Sequence, residues 1–182
     1  MLAAVDTFDS TACNVGKKLV GTLTLGIIGN TPVNANARIS EAIARFHERD
    51  ESVRLSVLVR SPGELEEMLL AGRIQMAIGY FWHRVPSLNY AEIFTEEQFA
   101  YCSRAHPLYA SAGRIDAAQA AEHVWAWRSY PLPEAAALTP CDIGAVADNM
   151  EAIAMLVLSG KHLGYLLEHF AATYVKDVLS RR

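Results

Sequence analysis

The stretch that decides the fold is Leu55–Tyr80, LSVLVRSPGELEEMLLAGRIQMAIGY. Leu55–Val59 is a short aliphatic run that predicts a strand buried on both faces. Ser61-Pro62-Gly63-Glu64 then marks a helix start. Ser61 suits the N-cap and Pro62 the first helical position. Glu64, three residues after Ser61, can reach back to close a capping box. Leu65, Met68 and Leu69 form one apolar stripe, and Gly72 is placed to end the helix. Ile74–Gly79 predicts a second strand. Strand, helix and strand make a right-handed crossover with parallel strands. The carboxyl ends of both strands, at Arg60-Ser61 and Gly79-Tyr80, then open on one edge of the sheet, where open α/β sheets take ligands.

Upstream, Thr22–Ile28 predicts a first strand and Gly29-Asn30-Thr31-Pro32 a turn. From Asn34 to about Arg49, Ile39, Ile43 and Phe46 recur with helical period. The opening is therefore β-α-β-α-β, a doubly wound parallel sheet. Residues 1–20 are mixed and polar and predict a connector from an upstream segment.

Downstream, strands are expected over Leu88–Phe94, Phe99–Ser103, Val124–Arg128 and His162–Leu167. Helices are expected over Asp116–Glu122, from Asp148 as N-cap through Met150, Ile153, Ala154 and Val157, and over Glu168–Tyr174. Pro131–Leu138 predicts a turn or short helix, and Lys176–Arg182 a fraying tail. The pattern has two Rossmann-like α/β halves joined by two hinge strands, near Phe99–Ser103 and Gly164–Leu167. Lobe I is expected over 21–100 and 166–182, lobe II over 101–165, with a cleft between them.

The 182 residues are 52% hydrophobic and 20% charged, which predicts a folded globular chain. A net charge of −4 excludes the basic footprint of a nucleic-acid-binding domain. The longest apolar run, Ala152–Leu158, is too short to span a membrane. Cys13, Cys102 and Cys141 make neither a disulfide framework nor a CxxC pair, and no signal-peptide pattern opens the chain. A reduced, cytoplasmic protein is the simplest reading.

Candidate ligand contacts come from the expected helix starts and strand ends. Backbone N–H groups near Asn30-Thr31, Ser61 and Asp148-Asn149 favour anions, and Thr31 and Ser61 add hydroxyls. Ser61 and Asp148 as plain helix caps explain the same residues equally well. Arg128 can clamp a carboxylate, or be a surface arginine after an edge strand. Arg60, Tyr80 and Phe81 sit at strand ends, although aromatics more often fill cores. The six histidines show no metal-ligand spacing. No nucleophile elbow, P-loop or dinucleotide fingerprint is present. No catalytic residue, metal or cofactor is expected.

Several segments together resemble the effector-binding domain of LysR-type transcriptional regulators. They are LVGTLTLGIIG, AIARFHERDESVRLSV, ELEEMLLAGRIQMAIGY, TEEQFAYCSRAHPLY and ADNMEAIAMLVLSGKHLGYLLEHFA, in that order over about Val20–Val175. The resemblance implies a fold of the periplasmic-binding-protein type II kind and a small effector between the lobes. It implies transcription regulation, with DNA bound only through an N-terminal helix-turn-helix that this chain lacks. It also implies homodimers, or tetramers of a full-length parent, with the helix at Asn34–Arg49 near that at Asn149–Ser159 of another copy. The family's last strand and helix, which finish lobe I, are missing after Val175. The expected effector is a small carboxylate or aromatic acid held by Asn30, Thr31, Arg60, Ser61, Tyr80, Phe81, Arg128 and Asn149. A transporter's solute-binding protein and an enzyme on the same fold are the alternatives.

Overall fold

A computed structural model describes residues 2–5, 21–31, 38–49, 52–132, 138–175 and 179–181. The chain divides into two compact units, Met1–Thr95 and Glu96–Arg182.

The first unit holds β1 (Leu2–Val5), β2 (Gly21–Ile27), α1 (Ile39–Arg49), β3 (Val53–Val59), α2 (Pro62–Leu70), β4 (Met76–Gly79) and β5 (Tyr90–Glu92). Its sheet runs β3-β2-β4-β1-β5. β2 is parallel to both β3 and β4, with Leu25 opposite Val57 on one side and Met76 on the other. The predicted β-α-β-α-β unit is therefore present. Leu65 and Leu69 of α2 join Ile74, Ala77, Phe81 and Leu88 in one buried cluster. Gly26 permits this packing, because a β-carbon there would collide with Leu65.

Three expectations change in this unit. β3 lies at the sheet edge rather than in its interior, and Val57 and Val59 are 48% and 53% exposed. An aliphatic run does not itself say whether both flanks are covered. The first residues are not all connector: Leu2–Val5 pairs antiparallel with β4 and β5, Leu2 opposite Gly79 and Glu92. The strand expected over Leu88–Phe94 shortens to Tyr90–Glu92. The turn at Pro32 and the start of the helix at Asn34 fall outside the described residues.

The second unit holds β6 (Gln98–Ser103), a 3-10 turn (Tyr109–Ser111), α3 (Ala117–Ala121), β7 (Val124–Arg128), β8 (Asp142–Ala147), α4 (Met150–Leu158), β9 (Leu163–Leu167), α5 (Glu168–Val175) and β10 (Leu179–Arg181). Its sheet runs β10-β6-β9-β7-β8. β7 is parallel to β8 and β9, and β6 is antiparallel to β9. One face packs Ala126, Tyr101 and Leu166 against Met150, Ile153, Ala154 and Val157 of α4 and Ala171 of α5. The other packs Cys102, Trp125 and Leu163 with Ala120 and Leu138. Trp125 keeps its buried indole N–H satisfied by donating to the Ala120 carbonyl at 2.9 Å. At Gly164 a β-carbon would press on Val157 and Ile153 at 2.7 and 2.9 Å, so its absence lets α4 lie on the sheet.

The two strands read as hinges, β6 and β9, pair with each other, Gln98 opposite Leu167. Both lie in the second unit, as does the 166–182 segment assigned above to lobe I. The reason is packing: Ala171 is buried in the α4 cluster, with Phe170 and Tyr174 against it. The tail read as fraying instead pairs Leu179–Arg181 with β6. The turn or helix expected at Pro131–Leu138 falls largely outside the described residues.

Candidate functional site

In each sheet one strand has its successors on opposite sides. β3 lies to one side of β2 and β4 to the other; β8 lies to one side of β7 and β9 to the other. Such a reversal opens a crevice at the carboxyl end of the central strand. Those ends carry Ile28–Thr31 after β2 and Arg128–Tyr130 after β7, so the expected residues fall at two such edges, one per unit.

At the edge of the first unit most groups are already engaged. The Thr31 hydroxyl donates to the Ile28 carbonyl at 2.7 Å. Ser61 donates from both its hydroxyl and its backbone N–H to the Glu64 carboxylate, at 2.7 and 3.0 Å. These two bonds hold the Glu64 carboxyl below its usual range. The positive end of α2 therefore already faces an anion, supplied by the helix itself. Arg60 is exposed and donates to the neighbouring Val59 carbonyl at 2.7 Å. Phe81 is a core residue, 5% exposed and edge-on to Tyr90 at 5.9 Å. Tyr80 stays half-buried beside Trp82. Asn30 takes a left-handed backbone with φ of 58°, uncommon outside glycine and a conformation that collects at functional turns.

At the edge of the second unit, Arg128 is 5% exposed. It is not a surface arginine after an edge strand, because β7 is flanked on both sides. It shares the sheet face of Ala126, two residues earlier, which is the face α4 covers. Nη1 donates to the Tyr130 hydroxyl at 3.0 Å, and the guanidinium carbon lies 5.7 Å from the centre of that ring. Nε and Nη2 are buried without a hydrogen-bond partner. Burial lowers the Arg128 pKa, with Tyr130 and Glu151 acting against that shift. Burial raises the Tyr130 pKa, which Arg128 opposes.

The two unpartnered nitrogens share one edge of the guanidinium. Their N–H bonds run nearly parallel, the arrangement that pairs with both oxygens of a carboxylate. Leaving buried donors unmade costs free energy that such a partner would recover.

Next to it, the cap of α4 is Asn149, not Asp148: Asn149 Oδ1 accepts the Ala152 N–H at 2.8 Å. The amide carbonyl of Asn149 is thus used by the helix, while the Asp148 carboxylate is left outside the cap. Tyr130, absent from the expected contacts, follows Arg128 by two residues in the sequence Arg-Ser-Tyr. An aromatic hydroxyl so close after a strand-end arginine is the signal that could have found it. Among the described residues no group of three or more His, Cys, Asp or Glu side chains is placed to hold a metal ion. Nor is any helix among them long and apolar enough to cross a membrane.

Residues 16–180 match the family model described as the LysR substrate binding domain. The chain is 30% identical over 180 residues to the HTH-type transcriptional activator BauR of Pseudomonas aeruginosa, covering 96% of this chain and 58% of that protein's length. It is similar in fold to the effector-binding domain of QuiR in complex with shikimate. That likeness has a TM-score of 0.72 and 16% identity, and covers 89% of this chain and 79% of that one. It is also similar to the BenM effector-binding domain with benzoate, with a TM-score of 0.63 and 16% identity, over 88% and 76% of the two chains. These domains carry the fold of the periplasmic-binding-protein type II kind, and this α/β chain shares it. With a family model spanning nearly its whole length, the chain belongs to the LysR substrate-binding domain family.

Proposed function

We propose that this chain is the effector-sensing part of a LysR-type transcriptional regulator, and that its effector is a small carboxylate anchored on Arg128. The observation that carries the reading is the buried guanidinium edge, Nε and Nη2, left without partners at the carboxyl end of β7. The ligands named with the two structural relatives, shikimate and benzoate, are both carboxylates, which supports the class. Tyr130 holds the third guanidinium nitrogen and fixes the direction of the fork. Asn30, Thr31, Ser61 and Tyr80 belong to the separate edge of the first unit, where the hydroxyls of Thr31 and Ser61 would have to exchange existing bonds to take any ligand. Arg60, Phe81 and Asn149 are the weakest of the expected contacts, for the reasons of exposure, core packing and capping given above.

The fork is covered in this structure, so a carboxylate reaches it only after neighbouring groups shift. Association should then be slower than the range for an open, pre-formed site. Signalling follows if the effector binds the shifted arrangement better than the covered one. DNA contact belongs to a helix-turn-helix in the parent protein, as the name of the BauR relative implies for that protein. The transporter and enzyme alternatives share the fold, but family membership favours regulation.

A homodimer is part of the same proposal. α1 leaves Ile39, Ile43 and Phe46 only half-buried, β3 exposes Val57 and Val59, and Met155 on α4 is 71% exposed. A second copy covering these residues explains that apolar exposure. Val57→Glu and Met155→Glu should each shift the chain to monomer in sedimentation equilibrium; dimers that persist in both variants would refute this interface.

The test of the effector reading is calorimetric titration with small carboxylates. Arg128→Gln should abolish the binding of any acid that titrates against the wild-type chain. Binding that survives the substitution would place the carboxylate elsewhere.

A further inference from the structure

The charge around Arg128 narrows the effector class further, and this inference rests on the reading of Arg128 as the anchor. Arg128 pairs in register with Ala147, and the Ser129 N–H donates to the Ala147 carbonyl at 3.0 Å. The residues that follow Ala147 therefore begin beside the end of β7. They are Asp148, Asn149, Met150 and Glu151, the last in the first turn of α4.

Both carboxylates there are exposed. Glu151 acts electrostatically on Arg128, and Asp148 on Tyr130. Neither forms an ion pair with Arg128 among the described residues. Asp148 accepts only a bond from the neighbouring Asn149 amide, at 3.3 Å. Because Asn149 caps α4, the Asp148 charge is not consumed by the helix start.

One buried cation and two solvent-facing carboxylates thus share one sheet edge. A simple carboxylate would gain the guanidinium fork and meet two like charges as it approached. A ligand that adds a protonated amine meets opposite charge at both ends. We infer that the effector is a zwitterion, an amino acid in the broad sense, with its carboxylate on Arg128 and its ammonium toward Asp148 and Glu151. This also gives a use to the buried, unpartnered edge of Arg128, which the two acidic side chains leave unmet.

The test uses the full chain and matched probes: straight-chain acids of two to six carbons, each with its α-amino and ω-amino derivative. Affinities are measured by calorimetry at low salt, where charge contacts are least screened. At least one amino acid should bind about tenfold or more tightly than its amine-free partner, a difference well within calorimetric range. The isosteric double variant Asp148→Asn/Glu151→Gln, with melting unchanged, should erase that preference. It should weaken the amino acid and leave the plain acid equal or tighter. Arg128→Gln should abolish both. Plain acids that bind as well as amino acids, or a preference that survives the double variant, would overturn the zwitterion inference. In those cases loss of binding in Arg128→Gln would still support the carboxylate anchor. If no probe of either class binds, the anchor and the zwitterion fall together.

Discussion

Replacing Arg128 by methionine should make the chain more stable while abolishing effector binding. Methionine retains an unbranched, flexible stem of similar reach and removes the charge. Two buried N–H donors now lack partners, each an unmet desolvation cost of about 1–3 kcal/mol. Against this stands one hydrogen bond from Nη1 to Tyr130, about 1.5–3 kcal/mol for a charged donor. The balance favours the variant by about 1–3 kcal/mol, in line with the effect of replacing buried charges by apolar residues. At about 2–4 °C per kcal/mol for a chain of this size, melting should rise by roughly 2–12 °C. Tryptophan fluorescence can follow the relevant unit, because Trp125 and Trp127 lie in the second unit and Trp82 in the first. A Trp82→Phe background confines the signal. Urea melts with and without Arg128→Met in that background give the difference directly. A loss of 1 kcal/mol or more in the variant would refute the reasoning. The guanidinium would then be a satisfied structural anchor and no longer a reserve of unmade bonds.

Two further outcomes are expected. Asn149→Ala should cost about 1 kcal/mol in urea melts, as an N-cap does, whereas Asp148→Ala should change stability by less than about 0.5 kcal/mol; the reverse order would return the cap to Asp148. Glu64 has a folded pKa below its unfolded value, from the two Ser61 bonds. Its contribution is therefore complete above the unfolded pKa and is lost as pH falls through the folded one. Glu64→Gln should flatten the stability profile below about pH 4.5 and leave its neutral limb nearly parallel to wild type; an unchanged acid limb would count against the Ser61–Glu64 bonds.

The crossover at Leu55–Gly79 was legible because local signals agree. Ser-Pro-x-Glu opens a helix, Leu65 and Leu69 define its buried face, and two aliphatic runs flank it. The carboxyl edges followed from that order alone. The sequence could not say which strands flank which. Val57 and Val59 read as interior because apolar composition carries no record of neighbours, and β3 is an edge. The same gap hid the burial of Arg128: an arginine after a strand looks alike whether its flank is open or covered. Asp148 and Asn149 are both good caps, and only the position at which α4 begins decides between them. The grouping of 166–182 with the second unit was illegible for a related reason. Where α5 packs is a tertiary choice, made by Ala171 against α4.

The placement of Leu2–Val5 has a consequence for the candidate edge of the first unit. β4 ends at Gly79, directly before Tyr80, and its partners are β2 on one side and β1 on the other. β4 and β5 do not pair with each other; β1 lies between them. Removing residues 1–5 would therefore strip one flank of β4 over Met76–Gly79 and the only partner of β5 among the described residues. Several ladder bonds at about 0.5–1.5 kcal/mol each put the loss at about 2–5 kcal/mol. Most of it should fall on the first unit. Hydrogen exchange by mass spectrometry should show faster exchange at Met76–Gly79 and Tyr90–Glu92 in the truncated chain. Exchange within β7 and β9 should be unchanged, since among the described residues those strands pair only within the second sheet. Unaltered protection at Met76–Gly79 would mean that β1 adds no stability to β4. The first unit would then rest on β2, β3 and the Leu65–Leu69 face of α2 alone.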